Sequence, residues 1–172
     1  LHLGAGGSKL HAVWRKRRER WSGYAAPDHP FHHQGSGKPY TYKLFLESAY
    51  RLIHVGGRLG FIIPSGIYTD KGSTALRRLF LDECRWDWLF GIGNRRKVFP
   101  IDSRFKFCAV ILNKGGSTSQ LRAAFMRREL SDWELPDPPY IWIPKATITR
   151  FSPKTLSFME FRSKRDVEIC EK

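Results

Sequence analysis

From Tyr42 to Ile53 the apolar residues Tyr42, Phe45, Leu46, Ala49, Leu52 and Ile53 recur at three- and four-residue intervals, the spacing of one face of an amphipathic helix. Gly56-Gly57 then predicts the end of that helix, with a left-handed residue as its cap. Leu59 to Ile63 is apolar without alternation, as in a strand covered on both faces, so the pattern predicts a central strand of a parallel sheet that ends at Pro64. A loop through Gly66, Asp70 and Gly72 leads to Ser73 or Thr74 as the N-cap of a second helix, with Leu76, Leu79 and Phe80 facing inward. Trp86, Trp88 and Phe90 alternate with Asp87 and Leu89 as a strand ending at Gly91. The basic turn Asn94-Arg95-Arg96-Lys97 precedes Val98-Phe99-Pro100. Phe105 to Leu112 is the last strong strand, closed by Asn113-Lys114-Gly115-Gly116.

Outside this stretch the pattern weakens. Residues 1–38 form a loop-rich basic segment with one short helix expected over Leu10 to Trp21. Gly4-Ala5-Gly6-Gly7 has no apolar strand before it, so it is expected to be a loop rather than a phosphate-binding turn. Pro136, Pro138, Pro139, Pro144 and Pro153 interrupt the tail, residues 117–172, which is expected to be a connector with short strands and a final helix from Ser163. With 172 residues, 41% of them hydrophobic, the chain is long enough for one compact α/β unit with its own core.

Charge adds a partner to this picture. Thirty Lys and Arg against 16 Asp and Glu give a formal net charge of +14, spread along the chain, and a polyanion is the economical partner. Arg15 to Arg20 between two tryptophans, Arg77-Arg78, Arg95-Arg96-Lys97 and Arg127-Arg128 are candidate phosphate contacts. No apolar run approaches the roughly 18–20 residues of a spanning helix, and no signal peptide opens the chain, so no membrane role is expected. Cys84, Cys108 and Cys170 are odd in number and lack the paired spacing of a zinc site, which points to a reducing compartment, the cytoplasm. His29, His32 and His33 have only Asp28 beside them, and the segment is expected to be a surface loop without a metal. The chain opens on Leu1 and closes inside a charged helix, so a piece of a longer protein is expected.

Three pieces in order carry a resemblance: Tyr42-Lys43-Leu44-Phe45-Leu46-Glu47, then Gly56-Gly57-Arg58-Leu59-Gly60-Phe61-Ile62-Ile63-Pro64, then Val98-Phe99-Pro100 with the strand to Leu112. Their order resembles the second half of the catalytic domain of the class I N6-adenine DNA methyltransferases. The nearest group is the one with target recognition after catalysis, including type IIG restriction-modification and phage-defence enzymes. The resemblance implies an α/β fold, a partial Rossmann-like methyltransferase sheet over residues 39–116. It also implies transfer of a methyl group from S-adenosylmethionine to N6 of an adenine flipped out of double-stranded DNA. By that resemblance Phe99 stacks on the extruded base, Phe45 packs on the adenine ring of the cofactor, Pro64 shapes the cofactor pocket, and Arg95, Arg96 and Lys97 hold DNA beside the base.

The same resemblance implies missing partners. The family's glycine loop, its acidic cofactor residue and its Asn/Asp-Pro-Pro-aromatic tetrapeptide belong to an N-terminal half not seen here, and the connector over residues 117–172 would lead toward a target recognition domain. The fragment alone is therefore expected to be inactive. Asp137-Pro138-Pro139-Tyr140 has the letters of the tetrapeptide but follows Phe99 in a polar stretch, so it is expected to be a Pro-rich connector. The alternative is a non-catalytic nucleic-acid-binding module whose charge is its function; a third keeps the fold but acts on RNA or protein.

Overall fold

The computed structural model describes residues 5–22, 30–35, 40–135 and 139–172, with residues 5 and 17–22 described by their helical backbone. The apolar runs become five strands of one mixed sheet: β1 (Arg58–Pro64), β2 (Cys84–Gly93), β3 (Lys106–Lys114), β4 (Gln120–Arg127) and β5 (Ile141–Pro144), in the spatial order β1-β3-β2-β4-β5. The helices are α1 (Ala5–Ser22), α2 (Thr41–Leu52), α3 (Gly66–Thr69), α4 (Thr74–Glu83), α5 (Ser131–Glu134), α6 (Lys145–Phe151) and α7 (Lys164–Glu171). β3 runs antiparallel to both β1 and β2, whereas β2 and β4 are parallel.

The expected central strand is corrected: β1 lies at the sheet's edge and pairs antiparallel with β3. Its unbroken apolar run reflects unequal faces. Leu59 and Ile63 enter the core, while Gly60, Ile62 and Pro64 face out, with Ile62 58% exposed. The expected alternation of Trp86, Trp88 and Phe90 is corrected as well. A bulge at Asp87 shifts the register, so Trp86 and Leu89 are fully buried on one face while Trp88 and Phe90 turn to the other. On that second face Trp88, Phe90, Trp133, Tyr140 and Trp142 form a continuous aromatic chain, and the Arg122 guanidinium lies 3.5 Å from the centre of the Trp88 ring.

α4 follows the expected pattern, with Leu76, Leu79 and Phe80 buried against the sheet. α2 inverts it. Its buried residues are Lys43, Leu46 and Glu47, and Phe45 and Leu52 stand 65% and 86% exposed. The helix also ends at Leu52, before the glycine pair. Gly56, at φ +84°, serves the following turn, where its N–H donates to the Lys114 carbonyl (2.7 Å). The polar pair on α2 is covered by residues 30–35. The Glu47 carboxylate accepts from the backbone N–H groups of His32 (2.6 Å) and His33 (3.1 Å) and from the Gln34 side chain (2.6 Å); Lys43 Nζ donates to the carbonyls of Gln34 (2.8 Å) and Gly72 (3.2 Å). The histidine stretch expected to be a surface loop is thus docked from residue 30 on, with Gln34 buried; His29 lies outside the described residues.

Two further expectations change. Gly6 and Gly7 belong to the first turns of α1 rather than to a loop, and that helix extends beyond the expected Leu10 to Trp21. Arg77 is no phosphate contact: it is fully buried and donates to the carbonyls of Ile67 (2.8 Å) and Thr155 (2.7 and 3.1 Å) and to the hydroxyls of Thr74 and Ser157 (3.3 Å each). Burial pushes its guanidinium down to about 10, with the charge of Asp70 opposing only in part. The tail is woven in by β4 and β5 and by Leu156, Phe158, Phe161 and Val167, all in the core. α7 begins where expected, its Ser163 and Asp166 closing a reciprocal capping box.

Arg77→Ala leaves several buried acceptors without a donor and a cavity behind them, with an expected loss of roughly 3 kcal/mol in urea denaturation. Burial alone would raise the Glu47 carboxyl, but the bonds from Gln34, His32 and His33 outweigh it and hold the group below the usual glutamate range. The stability this supplies is complete above the unfolded-state value and is lost as pH falls through the depressed folded one. Glu47→Gln should flatten the acid slope of stability and cost about 2 kcal/mol at neutral pH, measured by urea denaturation over a pH series.

Candidate nucleic-acid interface

Because β1 and β2 both run antiparallel to β3, their carboxyl ends, Pro64 and Gly93, flank its beginning at Lys106. β4, parallel to β2, brings Arg127 to the same edge. Ligands of open α/β sheets bind at such carboxyl edges. Two clefts open here and share Arg104, Phe105 and Lys106 as a dividing wall. The first, about 530 Å³, is lined by Tyr40, Tyr42, Pro64 and Asp70 on the β1 side. The second, about 570 Å³, lies between the ends of β2 and β4 and holds Arg95, Arg127, Arg128 and Glu160.

The loop from β2 to β3 is organised by a side chain that the sequence pattern did not single out. Asn94 is fully buried, and its carboxamide nitrogen donates to the carbonyls of Phe99 (3.0 Å), Ile101 (3.2 Å) and Asp102 (3.3 Å). Its oxygen accepts from the Phe99 N–H (3.0 Å), and its own N–H donates to the Phe105 carbonyl (2.9 Å). One asparagine therefore satisfies the backbone of a loop with no ladder of its own. The only signal in the sequence is an asparagine directly before three cations, which is ordinary turn composition.

Phe99 is half-buried at the middle of this loop, its ring edge-on to Phe107 with centroids 4.8 Å apart. Pro64 closes β1 and lines the first cleft. Phe45 lines neither cleft and stands out from α2. The basic triplet divides: Arg95 lines the second cleft, Arg96 pairs with Glu129 (2.8 Å), and Lys97 is exposed in a left-handed conformation at φ 52°. Asp137 and Pro138 lie outside the described residues, while Tyr140 joins the aromatic chain on Trp88 and Trp142.

Two tyrosines flank the clefts, Tyr42 half-buried and Tyr68 fully buried. Burial raises the Tyr42 phenol at the first cleft, with its bond to Ser73 opposing. Burial, together with donation to Glu160 (2.8 Å), pushes up the Tyr68 phenol at the second. Both are hydrogen-bonding walls held in their neutral form. Cys84 and Cys108 are free thiols buried in the core and pushed up by that burial, so they contribute packing and no nucleophile. Among the described residues no group of histidine, cysteine or acidic side chains is placed to hold a metal, and no helix is long and apolar enough to cross a membrane.

Comparison with known proteins places this edge. A chain of a type I restriction-modification system, solved for its complex assembly and conformational transition, superposes with a TM-score of 0.54 at 13% identity, over 78% of this chain and 36% of that one. The type IIG restriction endonuclease BpuSI superposes with a TM-score of 0.50 at 16% identity, over 84% and 18%. The M protein of the type I restriction enzyme EcoKI gives 0.48 at 21% identity, over 60% and 23%. The first two are likenesses of fold, and this chain spans about a third or less of each. No curated protein matches the sequence. Residues 24–99, which run from before α2 to Phe99 itself, match the Eco57I restriction-modification methylase family.

Proposed function

We propose that the intact protein is a DNA adenine-N6 methyltransferase and that this chain supplies the base-facing and DNA-facing part of its catalytic domain, over residues 39–116. The observation that carries the proposal is the Phe99 loop: a half-buried aromatic ring fixed by a fully buried asparagine at the carboxyl edge of the sheet, inside the stretch that matches the methylase family. An extruded adenine needs a rigid aromatic face and nearby cations for its phosphates. Phe99 would supply the face, and Arg95, Arg96 and Lys97 the charge, with Arg96 leaving Glu129 to do so. The tail from residue 117 would lead toward a target recognition domain.

S-adenosylmethionine would supply the methyl group. The residues present fit one side of such a cofactor. Phe45 offers a large exposed ring on α2, and Pro64 with Tyr40 and Tyr42 walls the first cleft. Phe45 would pack on the adenine ring and Pro64 would exclude water from the cleft. The groups that bind its ribose and carboxylate, and the tetrapeptide that accepts the target amine, would come from the N-terminal half. A non-catalytic nucleic-acid-binding module would share the charge but gives no reason for a single aromatic whose backbone is held by two asparagine hydrogen bonds.

In the intact enzyme Phe99→Ala should reduce methyl transfer about tenfold to a hundredfold, the equivalent of roughly 1–3 kcal/mol of base stacking. It should also abolish the fluorescence rise of a 2-aminopurine placed at the target position. Methylation and fluorescence both unchanged would reject the stacking role, and Phe99→Trp, which keeps the face, should retain most of each. Asn94→Ala should speed amide hydrogen exchange at Phe99 and lower methyl transfer while leaving Phe99 in place. Unaltered exchange there would deny the asparagine its role in ordering the loop.

A further inference from the structure

The second cleft brings together cations that lie apart in the sequence. Arg95, Arg104, Lys106, Arg127 and Arg128 line it against one carboxylate, Glu160. That carboxylate is already committed, accepting from Lys106 Nζ (2.7 Å) and from the Tyr68 hydroxyl (2.8 Å). Arg104 is committed to Asp102 in a two-pronged pair (2.7 and 3.2 Å). Arg127 donates to the Pro139 carbonyl (2.9 Å) and stands 3.7 Å from Asp132. Arg95 and Arg128 have no ion-pair partner among the described residues. Two guanidinium groups are thus free in a concave site whose other charges are neutralised.

The backbone is bent to make this arrangement. In the β2–β4 pairing Phe90 faces Ala124 and Ile92 faces Arg127, so Phe125 and Met126 together oppose the single residue Gly91. Met126 takes up the excess in a left-handed conformation at φ 58°, which is costly for a side-chain-bearing residue. The ladder resumes for one last pair, Ile92 with Arg127, and leaves Arg127 and Arg128 at the cleft wall. Strain of this kind persists where the surrounding structure enforces it, commonly at binding sites. Arg162 stands beyond Met126, its Nε 3.4 Å from the Met126 sulfur, and shares a smaller hollow of about 340 Å³ with Arg127 and Arg128.

We propose that this cleft is a phosphodiester seat: Arg95 and Arg128 grip one backbone phosphate each of the duplex whose base is presented to Phe99. The inference rests on the reading of the protein as a DNA methylase. The seat adjoins the base site through the chain itself, since Arg95 follows Asn94, the residue that holds Phe99. Guanidinium forks match the paired non-bridging oxygens of a phosphate. Phosphate contacts of this type set register and orientation, and carry no sequence information.

The test uses the intact methylase and a duplex bearing its modification site, with affinity measured across a salt series. Each phosphate contact contributes about 0.9 to the slope of log K against log salt in duplex DNA. Arg128→Gln should lower the slope by about one, and Arg95→Gln with Arg128→Gln by about two. Arg85→Gln, on an exposed arginine at the opposite end of β2, should leave it unaltered. A parental slope in Arg128→Gln, or an equal fall in Arg85→Gln, overturns the proposal, the second by showing a diffuse field. Competition by inorganic pyrophosphate separates a DNA phosphate from a free anion. If Arg128→Gln loses pyrophosphate competition but keeps the parental DNA slope, the seat serves a free anion and the assignment fails. Adenine methylation by the parent is scored separately. A lowered slope in a protein that never methylates adenine supports the seat and removes the chemistry; methylation with an unaltered slope does the reverse.

Discussion

The architecture hangs on β3. A strand returning antiparallel between β1 and β2 makes those two parallel to each other without being neighbours, so that both deliver their carboxyl ends to one edge on either side of residue 106. β4 adds a third carboxyl end by pairing parallel to β2. The clefts, the Phe99 loop and the arginine cluster all occupy that edge. A one-residue slip of β3 would exchange its faces and expose Cys108, Val110 and Leu112, now buried, in place of Ala109 and Ile111. The register that buries the core is therefore the register that positions the clefts.

Around this frame three ionic groups are taken out of water. Arg77, Lys43 and Glu47 are almost wholly buried, and each is satisfied mainly by backbone groups and amides. Such groups add little net stability over apolar residues of the same size, because desolvation offsets most of the gain. What they add is uniqueness. Arg77 ties α4 to the carbonyls that end α3 and the turn at Thr155, and Glu47 with Lys43 ties residues 30–35 to α2. Segments with few apolar residues are thereby fixed in one place, with their carbonyl and amide partners acting as addresses.

Much of the frame was legible because strands and helices write their own periods. β1, α4, β2 and β3 lie close to where hydrophobic pattern and turn residues put them, and Ser163 announces α7 through a capping box. Misreadings arose where tertiary context overrode local pattern. An apolar run such as Leu59 to Ile63 gives no sign of whether its outward residues meet a covering layer or its edge meets a neighbour. The Asp87 bulge reverses the faces of Trp88 and Phe90 with no turn residue to mark it. The stripe on α2 gave its core contacts at Leu46, Ala49 and Ile53 but not its second face, where residues 30–35 carry hydrogen-bonding groups that draw Lys43 and Glu47 inward. Of the candidate site, Phe99 and Pro64 stood out through their motif order and Arg95 through its basic cluster. Arg128 was visible only as one of several basic pairs; Asn94, and the meeting of Arg95 with Arg128 in one cleft, were not, since both depend on contacts made only after β2, β3 and β4 assemble.

The unpaired edge of β1 connects the fold to the proposed enzyme. Among the described residues β1 has one neighbour, β3, and its other edge offers free backbone donors and acceptors beside an exposed Ile62. Apolar edges of this kind are templates for a further strand. α2 packs on β1 and enters it through the turn at Gly56. A strand leading into α2 would, by the right-handed crossover of such units, lie parallel to β1, and the only side open to it is that free edge. Its carboxyl end would then stand next to Pro64, at the mouth of the first cleft and below the exposed Phe45 helix. That is where the proposed reaction needs a group to receive the target amine, within one edge of Phe99 and the arginine-lined cleft.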